Sequence, residues 1–417
     1  MLNIKYYIAI SCLILSSHNL VSQTLSLDSV LENIKTNNPQ LKMYDAEMQS
    51  MDEETKGINN WMPPQVSTGF FMTPYNSKLW KANEMGPGMG NYMVGITQMI
   101  PNFLSIKKEA SYMSAMNMVV DENKKFTINQ LNALAKTNYY QWLVLNKKLK
   151  VANDNLSLLS YMTKSMEIRY QYNMDKLPTY YKAKSQYSTL VSMVIMYQNE
   201  ITQKRIVLNT LMARSKTTAF EVDSTYKFVD YNFMKSDTAS LSHNRSDVRA
   251  IDKTIELNQL KIESEKTKLL PEFGIKYDHM FAFGQQPQQF SLMGMVNIPV
   301  PWSTRTNKAN IASFKMKNEG LFWQKQMILN EATGMISGMD AELTTLKKQY
   351  EIATKNIIPA LRKNYDTAVL AWQNNTSDLF VVLDAWEALN MSQIEVLDKL
   401  QAILITQVEI EKQLENN

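Results

Sequence analysis

Histidine, cysteine and methionine are the side chains whose scarcity or excess decides what chemistry this chain can do. His18, His243 and His279 are the only histidines among 417 residues, and no motif places any of them beside a nucleophile. Nucleophilic catalysis needs a base held within hydrogen-bond reach of the attacking group. Cys12 is the single cysteine, which excludes a disulfide framework and a thiolate metal site on one chain. Gly86, Gly88 and Gly90 form the densest glycine stretch, but Pro87 and Met89 interrupt it, and it does not read as a phosphate-cradling loop. These residues point away from an enzyme, and no cofactor is expected. With 44 basic and 40 acidic groups the net charge is +4, so no bulk field favours nucleic acid.

Methionine is in excess, at 28 residues. Met62, Met72, Met85, Met89, Met93 and Met99 crowd one stretch, and Met280, Met293 and Met295 another. Thioethers are soft ligands suited to Cu(I) and Ag(I), which makes Met85, Met89 and Met93 the candidate metal ligands. Methionine also fills apolar seams as a flexible residue, and Met113, Met116 and Met118 read that way. His279, next to Met280, reads as an interface aromatic.

The elements that would position these residues follow from periodicity. Residues 1–22 read as an export signal: Lys5, an apolar run from Tyr6 to Leu15, then a polar stretch with cleavage after Ser22. Cys12 lies inside the apolar run, which disfavours lipidation there. No later run approaches the length of a membrane-spanning helix, leaving a soluble exported protein or a membrane β-barrel.

The remainder reads as one unit used twice, over 23–215 and 216–417. Asn38-Pro39-Gln40-Leu41 and Arg245-Ser246-Asp247-Val248 each open a charged helical stretch. The first stops at Pro64 and the second at Pro271. Alternating apolar positions follow each proline: Val66, Thr68, Phe70 and Met72, then Phe273, Ile275, Tyr277, His279 and Phe281. A turn-rich loop and a second alternating segment complete a β-hairpin in each half, over about 64–101 and 271–301.

Long helices come next. Residues 102–172 would span roughly 105 Å if continuous, with 121–127 as a candidate interruption. The helix pairs turn at about 172–178 and 373–379. The returning helices carry heptads, with Tyr187, Val194, Ile201 and Leu208 matching Leu389, Val396, Ile403 and Ile410 at a shift of 202 (389 − 187). Such seams predict antiparallel coiled-coil packing. The expected fold is mainly α with β: long coiled-coil helices plus two membrane hairpins.

With these residues the chain resembles the TolC-like outer-membrane efflux channels, including a heavy-metal branch. The resemblance covers the whole mature chain, from Leu25-Ser26-Leu27 through Pro63-Pro64, Ile100-Pro101 and Leu269-Leu270-Pro271 to the C-terminal helix. It implies a homotrimer in the outer membrane, sharing a twelve-stranded β-barrel with an α-helical periplasmic tunnel. It also implies a periplasmic adaptor protein and an inner-membrane pump as partners, and passive transport without catalysis. Asp384 matches an acidic position at the periplasmic aperture, with Val381 and Ser377 where other members carry further charge. The residues matching the adaptor-contacting tips are Asn173, Met174 and Leu177, and Asn375, Thr376 and Leu379. Tyr92, Tyr277 and Phe281 would join an aromatic girdle, and Trp61 would mark the helix-to-barrel junction. The alternative is a soluble periplasmic coiled-coil protein, either an adaptor or a structural rod.

Overall fold

The computed structural model describes residues 23–84, 86–172, 177–231 and 238–415. The signal segment 1–22, with Cys12, lies outside them. The described chain is mainly helical, with one four-stranded and one two-stranded sheet. No described helix is long and apolar enough to cross a membrane. Contacts divide the chain into two units.

The first unit comprises residues up to 42, 126–245 and 330–417. Strand β1 (Gln23–Leu25) pairs in parallel with β4 (Phe220–Val222). Helix α1 (Leu27–Asn37) leads into α2 (Pro39–Lys56) through Asn38, whose Oδ1 accepts from the Gln40 N–H at 2.9 Å. Proline at a first helical position has no N–H to leave unpaired, and asparagine caps the next one. The Asn38 Nδ2 also donates to the Leu211 carbonyl at 2.9 Å, tying α2 to the end of α4 (Leu177–Leu211). The Tyr139 hydroxyl donates to the Leu25 carbonyl and accepts from the Asp223 N–H, both at 2.9 Å. Burial pushes the Tyr139 phenol up to about 12, so it stays a neutral donor there.

The long helices of this unit pack along the heptad seams, with Tyr187, Val194 and Ile201 of α4 half-buried. Ala183, Leu190, Tyr197 and Leu208 of α4 are buried, as are Leu379, Val382, Trp386, Leu389, Val396, Leu400, Ile403 and Ile410 of α9 (Leu379–Leu414). A polar cluster sits in the seam. The Trp386 Nε1 donates to Asn155 Oδ1 at 2.7 Å, while Asn155 Nδ2 donates to the Val151 carbonyl and to Asn390 Oδ1. Asn155→Ala would strand the indole N–H and is expected to cost about 1–3 kcal/mol, read as a lower denaturation midpoint by circular dichroism. An unchanged midpoint would show that this contact does not hold the seam.

The course of the long helices differs from the sequence reading. Helix α3 (Phe103–Gln171) runs through 121–127 without a break. Its polar residues there are helix formers held by i,i+3 and i,i+4 ion pairs, Lys125 to Glu122 at 2.9 Å and to Asp121 at 2.7 Å. The irregularity falls instead in the other half. Helix α7 (Arg305–Ile352) passes through a π turn, Ala353–Ile357, into α8 (Ile358–Gln373). Pro359 follows directly, and a π turn absorbs the hydrogen bond that a proline cannot make.

The second unit comprises 43–125 and 246–329. Helix α5 (Thr238–Asn244) precedes the boundary, and α6 (Ser246–Thr267) lies within this unit. Ion pairs join its helices: Glu122 to Arg249 at 2.7 Å, Glu109 to Lys261 at 2.9 Å, and Asp252 to Lys325 at 2.8 Å. Burial raises the Glu109 carboxyl, but the Ser264 hydroxyl and Lys261 outweigh it and hold the group below its ordinary range. The helices here stop short of the prolines. Helix α2 ends at Lys56 with a 3₁₀ turn, Gly57–Asn59, and α6 ends at Thr267.

The strands β2 (Gln65–Phe71), β3 (Asn91–Ile100), β5 (Glu272–Ala282) and β6 (Gln289–Asn297) form one antiparallel sheet in the order β2-β3-β5-β6. Met72 is not part of the first strand. Its φ of 48° is left-handed, and pairing ends at Phe71.

Candidate membrane face and helix-pair ends

Alternation along paired strands sorts the sheet into two faces. Phe70, Tyr92 and Phe281 lie in one cross-strand row, and Val66, Ile96, Tyr277 and Leu292 in another. His279 shares this face, opposite Val94 and Phe290, with its ring 4.4 Å from that of Phe281. The surface is apolar and open: Phe70, Leu292 and Phe290 are 64%, 67% and 70% exposed. An open apolar face of this extent on a water-soluble monomer would be unusual. The reverse face carries Ser67, Thr97, Lys276, Asp278, Ser291 and several methionines.

Aromatic residues gather at both ends of the apolar band. At the hairpin-loop end, Phe70 lies 5.7 Å from Tyr92 and 5.5 Å from Trp80, which stacks on Phe283 at 5.3 Å. Trp61 and Phe103, 6.5 Å apart, and Trp302 stand where the strands meet the helices. Two aromatic belts flanking an apolar band match the layout of a membrane barrel wall. The glycine stretch has a structural use. The Gly88 N–H donates to the Gly284 carbonyl at 2.9 Å, and a Cβ on Gly88 would stand 2.2 Å from the Trp80 carbonyl oxygen. Only glycine lets the two hairpin loops approach this closely.

The candidate metal ligands do not converge. Met85 lies outside the described residues, Met89 is exposed on the loop, and Met93 is on β3 facing away from the apolar band. Among the described residues no three of His, Cys, Asp and Glu come together to hold a metal ion.

At the helix-pair ends of the first unit, Asn173 and Met174 lie outside the described residues. Leu177, Asn375 and Thr376 are exposed. Asn375 adopts φ 54°, the left-handed conformation that asparagine tolerates. Its Oδ1 accepts from Arg169 Nη2 at 2.8 Å, and the same guanidinium lies over the Trp372 ring at 5.1 Å. This Arg169 latch joins the end of α3 to the turn between α8 and α9, and no local pattern announced it. Asp378 caps α9, accepting from the Phe380 N–H at 3.0 Å. Leu379 is not at the surface. It is fully buried in the helix core with Leu383 and Trp386, because it is the first residue of the heptad seam. Asp384 is exposed on α9, one turn beyond the exposed Phe380 and Val381.

No protein-family model and no curated protein sequence matches the chain. Solved structures do. The chain is similar to the outer-membrane channel OprN, at 13% identity and a TM-score of 0.74 over 94% of this chain and 90% of that one. It is similar to CusC, whose structures concern folding and transmembrane channel formation, at 13% identity and a TM-score of 0.74 over 94% and 92%. It is also similar to the open MtrE outer membrane channel of Neisseria gonorrhoeae, at 14% identity and a TM-score of 0.71 over 93% and 88%. With so little identity over nearly the whole length, what these structures share with the chain is the architecture: it has the fold of the outer-membrane channels.

Proposed function

We propose that this chain is the outer-membrane channel of a tripartite efflux system, a TolC-like passive conduit from a periplasmic adaptor and inner-membrane pump to the exterior. The observation that carries this reading is the four-stranded sheet with one apolar, aromatic-belted face and with β2 and β6 unpaired on their outer edges among the described residues. An open strand edge is intolerable in lipid, where no water can satisfy its backbone groups. Three copies of four strands close a twelve-stranded barrel, an even number inside the known range. The two repeats, 23–215 and 216–417, each contribute one hairpin and one helix pair, and the helices form the periplasmic tunnel. A conduit needs no catalytic residue.

Other exposed residues take roles on the same reading. Leu177, Asn375 and Thr376 dock the adaptor, and Asp384 lines the periplasmic aperture. Trp323, Met316 and Met327, exposed on α7, are covered by a neighbouring copy. The soft-cation reading of the cargo, copper(I) or silver(I), rests on the methionines, with Met85, Met89 and Met93 as its first candidates. The test is fractionation. The chain should appear in the outer membrane as an oligomer whose electrophoretic migration shifts on heating, and it should conduct ions in planar bilayers. Recovery as a soluble periplasmic monomer would favour the adaptor or rod reading instead.

A further inference from the structure

The strand methionines are not distributed as apolar fillers would be. Met93, Met99, Met280, Met293 and Met295 all lie on the face turned away from the aromatic band. A flexible hydrophobe used only for burial belongs on the apolar face, and that face carries none of these five.

Two of them are paired directly across the sheet. Met93 and Met280 are cross-strand partners, so their Cβ atoms stand about 5 Å apart. Glycine flanks Met93 both across the sheet, at Gly69, and along its own strand, at Gly95. The next residue on this face of β5 is Asp278, which leans over the gap that Gly95 leaves. Its Oδ1 is 2.2 Å from where a Cβ on Gly95 would stand. Asp278 is 2% exposed. Its Oδ2 faces Lys276 Nζ at 3.1 Å, while Oδ1 is buried with no hydrogen-bond partner among the described residues. A buried carboxylate oxygen without a donor costs free energy unless something else satisfies it.

We propose that Met93, Met280 and Asp278 form a binding site for a soft monovalent cation, silver(I) or copper(I), on the polar wall of the sheet. Two thioethers select a soft ion against sodium, potassium or magnesium. The carboxylate oxygen that Lys276 does not engage is the third donor, and it is completed as a ligand when the ion arrives. The site deepens the cargo reading above and replaces Met85 and Met89 as the partners of Met93. On the conduit reading, on which its role as a cargo site rests, the polar face is the water-filled wall, where sites must bind weakly enough to release. Met99, whose sulfur lies over Gly274, and Met295 on the other side of that glycine offer a further thioether pair along the same wall.

The test uses the full chain, purified in detergent without chloride, with ¹³C-labelled methionine methyls and silver nitrate as the probe. The first equivalent of silver should shift the Met93 and Met280 methyls, and potassium at equal concentration should shift neither. Met93→Leu combined with Met280→Leu, which conserves volume, should weaken silver binding at least about tenfold. Asp278→Asn should weaken it while leaving the heat-modifiable oligomer intact. First shifts confined to Met89 or to helix methionines, or an unchanged affinity in the double leucine variant, would overturn the site. If Asp278→Asn does not assemble, the leucine pair alone decides. Potassium conductance in a bilayer separates the two readings. A conducting channel without silver shifts rejects this site only, whereas silver shifts in a protein that never conducts support the site and reject the conduit.

Discussion

Leu292→Arg is expected to abolish recovery of the oligomer from the outer membrane, while Met293→Arg, one residue along the same strand, is expected to leave it assembled. The two side chains point to opposite faces of β6. Leu292 is opposite Tyr277 on the apolar band, and Met293 is opposite Lys276 on the polar wall. Arginine facing the middle of a bilayer costs about 2–4 kcal/mol in a membrane barrel, and a trimer incurs that cost in every copy. On the water side the guanidinium stays solvated, and its main penalty is repulsion from Lys276 in a high-dielectric medium. Heat-modifiable migration of outer-membrane fractions checks both. Equal loss in the two variants would show that the faces are not divided between lipid and water, and the barrel reading would fall.

The second large effect concerns ion selectivity. Asp384→Ala is expected to remove most of the channel's preference for cations, and Asp384→Lys to turn it toward anions. On α9, Val382, Leu383, Ala385 and Trp386 are buried, which leaves Asp384 on the outer stripe with Phe380 and Val381. The neighbouring acid, Glu387, is already engaged by Lys182 at 3.7 Å. In the proposed trimer three copies of Asp384 form a ring, and a ring of like charge at a constriction sets which ions pass. Alanine leaves the ring neutral, and lysine inverts it. The reversal potential across a salt gradient in single-channel recordings gives the answer. If the wild type and both variants share one reversal potential, the selective constriction lies elsewhere.

The strands and the sorting of their side chains were legible from alternation after Pro64 and Pro271, because a half-covered sheet writes its two faces into a period of two. What alternation cannot say is which hairpin neighbours which. The β3–β5 pairing joins residues about 180 positions apart, and it alone brings Met93 against Met280 and Asp278 over Gly95. The heptads reported the core of α9 and part of that of α4, where Tyr187, Val194 and Ile201 are only half-buried. They also outranked position at Leu379: its nearness to a chain turn suggested a surface role, whereas its place in the seam buries it. Asn375 could be read as a left-handed position from its type. Its partner Arg169 could not, since that contact crosses 206 residues and depends on how two helix ends meet. Polar runs misled in one place. The residues at 121–127 lack an apolar stripe because ion pairs to Lys125 and Arg249 serve there in place of burial.

The outer edges of β2 and β6, unpaired among the described residues, have a consequence for biogenesis. On the proposed closure a single folded chain is never a finished object, because its sheet ends in two rows of backbone donors and acceptors that will pair with whatever strand they meet first. Correct pairing is a race between encounter with two sister chains and encounter with anything else. Yield should therefore rise faster than in proportion to expression, and scarcity, more than any point mutation in the helices, should leave the chain to be cleared as an orphan.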